Sequence, residues 1–150
     1  MKTKYLKNIF ETSTLSSIIL IRIIVGSVFL SEGIQKFLFP DALGVGRFIK
    51  IGIPSPEFFA PFVGTVEIVF GLLILIDFLT RIAAIPLIIN ISVAIISTKI
   101  PILLNEGFWK MAHEARTDWA MLICSVVLLL AGAGKYSVDS YLDKKSRKQN

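Results

Sequence analysis

The chain has 150 residues, of which 54% are hydrophobic and 18% charged, with a formal net charge of +5 and a mean hydropathy of +0.73. A soluble single-core domain with a polar coat carries less apolar content than this and spreads it over shorter elements. The basic excess argues against a nucleic-acid surface, because it gathers at the two ends, at Lys2, Lys4 and Lys7 and at Lys144, Lys145, Arg147 and Lys148, as topogenic charge does beside membrane spans.

Four apolar blocks are long enough to cross a hydrocarbon core, which takes roughly 20 residues per helix. They cover about 15–39, 58–79, 82–104 and 119–134 and predict an all-α membrane protein, an antiparallel bundle of four transmembrane helices in a single domain. Polar tails occupy 1–14 and 135–150. The first block is longer than a signal-peptide core and contains Arg22 and Glu32, so it is expected to remain in the mature protein. Between the first two blocks, Gly44, Gly46 and Gly52 stand with Arg47 and Lys50 in an outer loop, where a short interfacial helix fits. Pro54-Ser55-Pro56 reads as a helix start with Ser55 as cap and Pro56 at the first helical position. The segment 77–81 is a tight inner connection, Pro86 predicts a kink in the third helix, and Gly132 and Gly134 close the fourth. With four spans, nine Lys and Arg residues fall on the side of the termini and six on the other, which predicts both termini in the cytoplasm of a bacterial inner (plasma) membrane.

The chemistry of such a chain resides in the polar groups at membrane depth. A charge at the centre of a span costs about 2.5–3.5 kcal/mol on insertion scales, so it persists when paired or useful. Counted from the inner side, Arg22 lies at roughly 10 Å, Asn90 at roughly 13 Å and Glu67 at roughly 18 Å, at 1.5 Å per residue. These depths predict an Arg22–Glu67 pair with Asn90 nearby, either as a charge pair that fixes helix register or as a site for ligand or proton. Gly26 and Gly33 on the first helix, and Gly64 and Gly71 on the second, share a seven-residue spacing that lets the two helices approach closely. A second polar set belongs at the outer mouth. Glu32 and Lys36 are spaced to pair at i,i+4, and His113, Glu114, Arg116 and Asp118 lead into the fourth helix. They are either solvated loop ends or a polar cap for a ligand head group or partner.

Cys124 is the one cysteine and His113 the one histidine, so the chain offers neither an internal disulfide nor a bis-histidine haem site. No phosphate-binding glycine loop is present, and no metal site is expected. A redox role would therefore use a lipid-soluble carrier such as quinone, or a cofactor held by a partner.

The run Arg22, Gly26, Phe29, Gly33 and Lys36 resembles the opening helix of the DoxX family. The stretch Gly52-Ile53-Pro54-Ser55-Pro56 leading to Glu67 and Gly71, then Leu79-Thr80-Arg81-Ile82-Ala83-Ala84, is similar to its centre. Residues 108–118, with Glu114 and Asp118, resemble its last outer loop, and Gly132-Ala133-Gly134-Lys135-Tyr136-Ser137-Val138-Asp139 resembles its finish. The resemblance spans about residues 18 to 140. It implies a four-helix bacterial inner-membrane protein whose relatives include a DoxD-type subunit of a thiosulfate:quinone oxidoreductase and others linked to oxidative-stress defence with partner enzymes. Two functions follow as expectations. One is a non-catalytic or quinone-interacting subunit of a membrane redox system, possessing no cofactor of its own and docking a partner oxidoreductase. There Arg22 and Glu67 would serve a quinone head group, and Phe29, Trp109 and Trp119 would line its approach. The other is a small-molecule permease or a membrane assembly scaffold, for which transport would require a homo-oligomer.

Overall fold

The computed structural model describes residues 17–132, and among them all regular structure is helical. Five helices follow in chain order: α1 (Ser17–Leu38), the short α2 (Val45–Lys50), α3 (Pro56–Leu75), α4 (Thr80–Glu106) and α5 (Phe108–Ala131). Helices α1 and α4 are rich in isoleucine and valine, which favour strands in water. In a hydrocarbon environment the helix wins, because it satisfies every backbone N–H and C=O within one segment. The hydroxyls on these helices obey the same demand. Ser92 donates to the Ile88 carbonyl at 2.7 Å and Thr98 to that of Ala94 at 2.7 Å.

Helices α1, α3 and α4 are each long and apolar enough to cross a membrane. Their outward faces carry large apolar side chains, seen most plainly on α4 at Ile82, Ile85, Ile89, Val93 and Ile96. Helix α5 differs. It is polar through its first turns and largely apolar only from Trp119 onward.

Helix α1 packs chiefly against α3 and α4 against α5, and the two pairs join through a core of Val25, Phe29, Ile74, Leu87, Met121 and Leu128. The α1–α3 crossing is made of glycine. A Cβ on Gly26 would lie 2.9 Å from the Gly71 carbonyl oxygen, and one on Gly33 would lie 2.7 Å from that of Gly64. As α1 advances from Gly26 to Gly33, α3 retreats from Gly71 to Gly64, so the two are antiparallel with backbones in contact. Helix α4 returns beside α3, and α5 beside α4, with Arg81 Nη2 donating to the Leu130 carbonyl at 3.2 Å.

Several boundaries differ from the sequence expectation. The second long helix ends at Leu75 rather than near residue 79, because residues 76–79 form the turn into α4. Asp77 and Leu79 both have positive φ there, 64° and 53°. For leucine that conformation is strained by about 1–3 kcal/mol. Ser55 precedes α3 with φ 49° and makes no side-chain capping bond, while Pro56 does open the helix. Residues 108–118, expected as loop, are the first turns of α5. The whole α4–α5 connection reduces to Gly107, whose φ of 87° suits glycine alone among common residues. The short helix expected in the first loop is α2. Helix α5 ends at Ala131 with Gly132 as its C-cap, and the tails and Gly134 lie outside the described residues.

Gly33→Ala is expected to push α1 away from α3 and to destabilise the fold by about 1–3 kcal/mol, the usual cost of overpacking. Thermal unfolding in detergent should show a lower Tm, with Ser27→Ala on the exposed side of α1 unchanged. An unshifted Tm for Gly33→Ala would mean that the two backbones are not in contact.

Candidate functional site

The register set by the glycines decides which charges meet. Gly33 faces Gly64, so Glu67 stands opposite Leu30. Lys36 then lies about 9 Å beyond Glu67 along the axis, and Arg22 about 12 Å short of it, at 1.5 Å per residue. Helical side chains lean toward the N-terminus of their own helix. On antiparallel helices Lys36 leans back toward Glu67 and Glu67 leans toward Lys36. Arg22 and Glu67 lean apart.

The expected Arg22–Glu67 pair therefore does not form. Lys36 Nζ donates to Glu67 Oε2 at 2.6 Å, and Asn90 Nδ2 on α4 donates to Glu67 Oε1 at 2.7 Å. Both carboxylate oxygens are held, by donors from two other helices, at a residue only 4% exposed. The expected i,i+4 pairing of Glu32 with Lys36 is replaced by this longer-range one. Arg22 instead donates through Nη1 to Asp77 Oδ2 at 2.7 Å, and Thr80 Oγ1 donates to Asp77 Oδ1 at 3.2 Å. That cluster ties α1 to the strained turn before α4, and Asp77 and Thr80 are as buried as Glu67.

Lys36, Glu67 and Asn90 form the floor of a cavity of about 400 Å³ that α1 to α5 all help to line. Phe29, Phe48, Phe59 and Met121 supply apolar wall, and Glu32, Arg47 and Asp118 supply charge around it. Of the residues singled out from sequence, Glu32, Lys36, Glu67, Asn90 and Asp118 converge here. Arg22, Glu114 and Arg116 do not line it. Glu114 pairs with Lys110 at 3.5 Å, and Arg116 donates through Nη1 to the His113 carbonyl. Of the three aromatics expected along the approach, Phe29 lines the cavity. Trp109 and Trp119 are exposed, at 83% and 46%, and lie outside its lining.

Three participants were missed. Asp77 lies in the segment 77–81, expected only as a tight inner connection, and its partnership with Arg22 and Thr80 has no local sequence signal. Arg47 enters the wall because α2 folds back over the mouth, which spacing alone does not reveal. Lys99 bridges to Asp118 at 3.1 Å and joins α4 to α5 beside the cavity. Among the described residues no group of His, Cys, Asp and Glu is gathered to hold a metal ion. In the cavity Lys36 and Asn90 present hydrogen-bond donors and Glu67 an acceptor.

Comparison with known proteins places this geometry in context. A family model described as DoxX matches residues 17–100. The chain is 53% identical over 136 residues to the "Uncharacterized membrane protein Rv3486" of Mycobacterium tuberculosis, covering 87% of this chain and 83% of that one. It is 29% identical over 143 residues to the "Putative oxidoreductase CatD" of Bacillus subtilis, covering 94% of this chain and 95% of that one. No solved structure matches.

A double-mutant cycle separates the observed pairing from the discarded one. Lys36→Met and Glu67→Gln should each destabilise the protein, with an unpaired buried charge costing about 3–5 kcal/mol at the upper end. The double variant should recover part of the loss. Arg22→Met combined with Glu67→Gln should be additive within about 0.5 kcal/mol, as for distant sites. Coupling in the second cycle and none in the first would reverse the assignment.

Proposed function

The chain belongs to the DoxX family of membrane proteins, and from that premise we propose that it is a quinone-interacting subunit of a membrane redox system. The observation that carries the reading is the Lys36–Glu67–Asn90 cluster on the floor of an aromatic-walled cavity. A quinone supplies two-electron, two-proton carrier chemistry in the membrane phase. Lys36 and Asn90 present N–H donors suited to its carbonyl oxygens, and Glu67 is the group placed to hold or release a proton beside them. Phe29 and Phe59 line the same cavity and supply aromatic surface for a planar head group. The electrons would come from a partner oxidoreductase. The printed name of the Bacillus subtilis relative, an oxidoreductase, supports a redox setting without naming a substrate.

The same reading makes α5 the fourth span. Its apolar half runs from Trp119 to Ala131, and Thr117 and Asp118, at the end of its polar first half, reach the cavity. Both termini then share one side. The balance of nine basic residues against six supports the cytoplasmic side of a bacterial inner membrane, with α2 at the outer surface. Reporter fusions at the two termini should both report cytoplasm; a reporter pair on opposite sides would mean that α5 does not cross.

The ligand assignment is tested by gentle purification in native lipid particles followed by mass spectrometry of everything that copurifies. A near-stoichiometric quinone is expected with the wild type. Glu67→Gln should lower its occupancy by roughly tenfold or more, the effect of losing hydrogen bonds to a charged group at about 1.5–3 kcal/mol. A particle that carries only bulk lipid, together with substrate-dependent flux in proteoliposomes, would replace this reading with a permease.

A further inference from the structure

Three lysine–carboxylate pairs stand at successive depths, and their exposure falls from one to the next. Lys110 and Glu114 are 50% and 42% exposed in their side chains. Lys99 and Asp118 are 13% and 25% exposed, and Lys36 and Glu67 are 12% and 6% exposed. Lys110, Glu114 and Asp118 recur every four residues along α5, so they form one stripe on one face of that helix. Asp118 and its neighbour Thr117 line the cavity, as do Ser97 and Thr98 on α4. The polar stripe thus runs from the exposed end of α5 down into the space above Glu67.

On the other side of Glu67 the character changes. Val25, Ile74, Ala84, Leu87 and Leu128 are all buried, none of them lines the cavity, and they fill the layer between Glu67 and the Arg22–Asp77 pair. Among the described residues, the Ser125 hydroxyl is the one buried polar side chain in that layer. Apart from that hydroxyl, a layer of close-packed aliphatic groups offers no polar partner for water or for an ion.

We propose that the cavity opens to one aqueous phase only, the one at the α2 end, so that Glu67 exchanges protons with that phase along the polar face of α5. The charged groups facing this route are Glu32 and Lys36 from α1, Arg47 from α2, Lys99 from α4, and Asp118 and Glu114 from α5. Each proton moves between water and a carboxylate, and no electron or further reactant is required. The inference rests on the cavity being the working site and is independent of which ligand fills it. For a redox subunit it fixes the side from which protons are taken up or released.

The test uses cysteine accessibility in proteoliposomes of known orientation, with Cys124→Ala as background. A positively charged, membrane-impermeant methanethiosulfonate reagent is applied from either side. Thr117→Cys, or Thr98→Cys should that variant fold better, is expected to react at least a hundredfold faster from the α2 side than from the Arg22 side. Leu87→Cys in the apolar layer should resist the reagent from both. Reaction of Leu87→Cys, equal reaction of Thr117→Cys from both sides, or no reaction of either lining cysteine would overturn the proposal. The reagent reports access whether or not quinone is bound. One-sided labelling of a protein that copurifies with no quinone would therefore retain the route while removing the quinone assignment.

Discussion

The structure depends on one close contact, the glycine-lined crossing of α1 and α3. Gly26 lies against the backbone carbonyl of Gly71 and Gly33 against that of Gly64. In a membrane the hydrophobic effect gives helices little reason to associate, and close packing together with interhelical hydrogen bonds does that work instead. The crossing also fixes axial register. A shift of one turn would move each charge by about 5.4 Å relative to the facing helix. Arg22 and Lys36 would then lose their carboxylates.

Two buried charge systems follow from that register, and they differ in what surrounds them. Arg22, Asp77 and Thr80 lie where α1 meets the turn between α3 and α4, beside a leucine held at positive φ. They do not line the cavity, and their geometry is that of a clasp. Lys36, Glu67 and Asn90 draw on three helices and face open space with aromatic walls. A buried ion pair is weak grounds for stability by itself, since desolvation offsets much of the attraction. A buried pair beside a cavity is better understood as a binding group kept in place by its partner.

Helix α5 joins these two environments. Its first turns carry the charges that border the cavity mouth, and its later turns supply Met121 and Leu128 to the core. That division explains why α5 falls short of the apolarity that α1, α3 and α4 possess, yet packs along α4 for its whole length. A helix that lines a polar cavity at one end and seals a bundle at the other needs both compositions.

The long apolar runs, the short helix between the first two, the family, and the candidacy of Glu67 and Asn90 were all legible from sequence. They follow from local composition and from the cost of polar groups in hydrocarbon, which the chain carries in its own order. The partner of each charge was not legible. Depth counting placed Arg22 and Glu67 within reach, but it treated side chains as if they stood perpendicular to the helix. Their lean toward opposite ends of antiparallel helices, together with the offset set by Gly33 and Gly64, gave Glu67 to Lys36 and Arg22 to Asp77. Arg47 and Lys99 joined the site for a similar reason, because α2 folds over the mouth and α4 faces α5. Residue type and burial are properties of a segment. Pairing is a property of the register between segments, and only tertiary packing sets it.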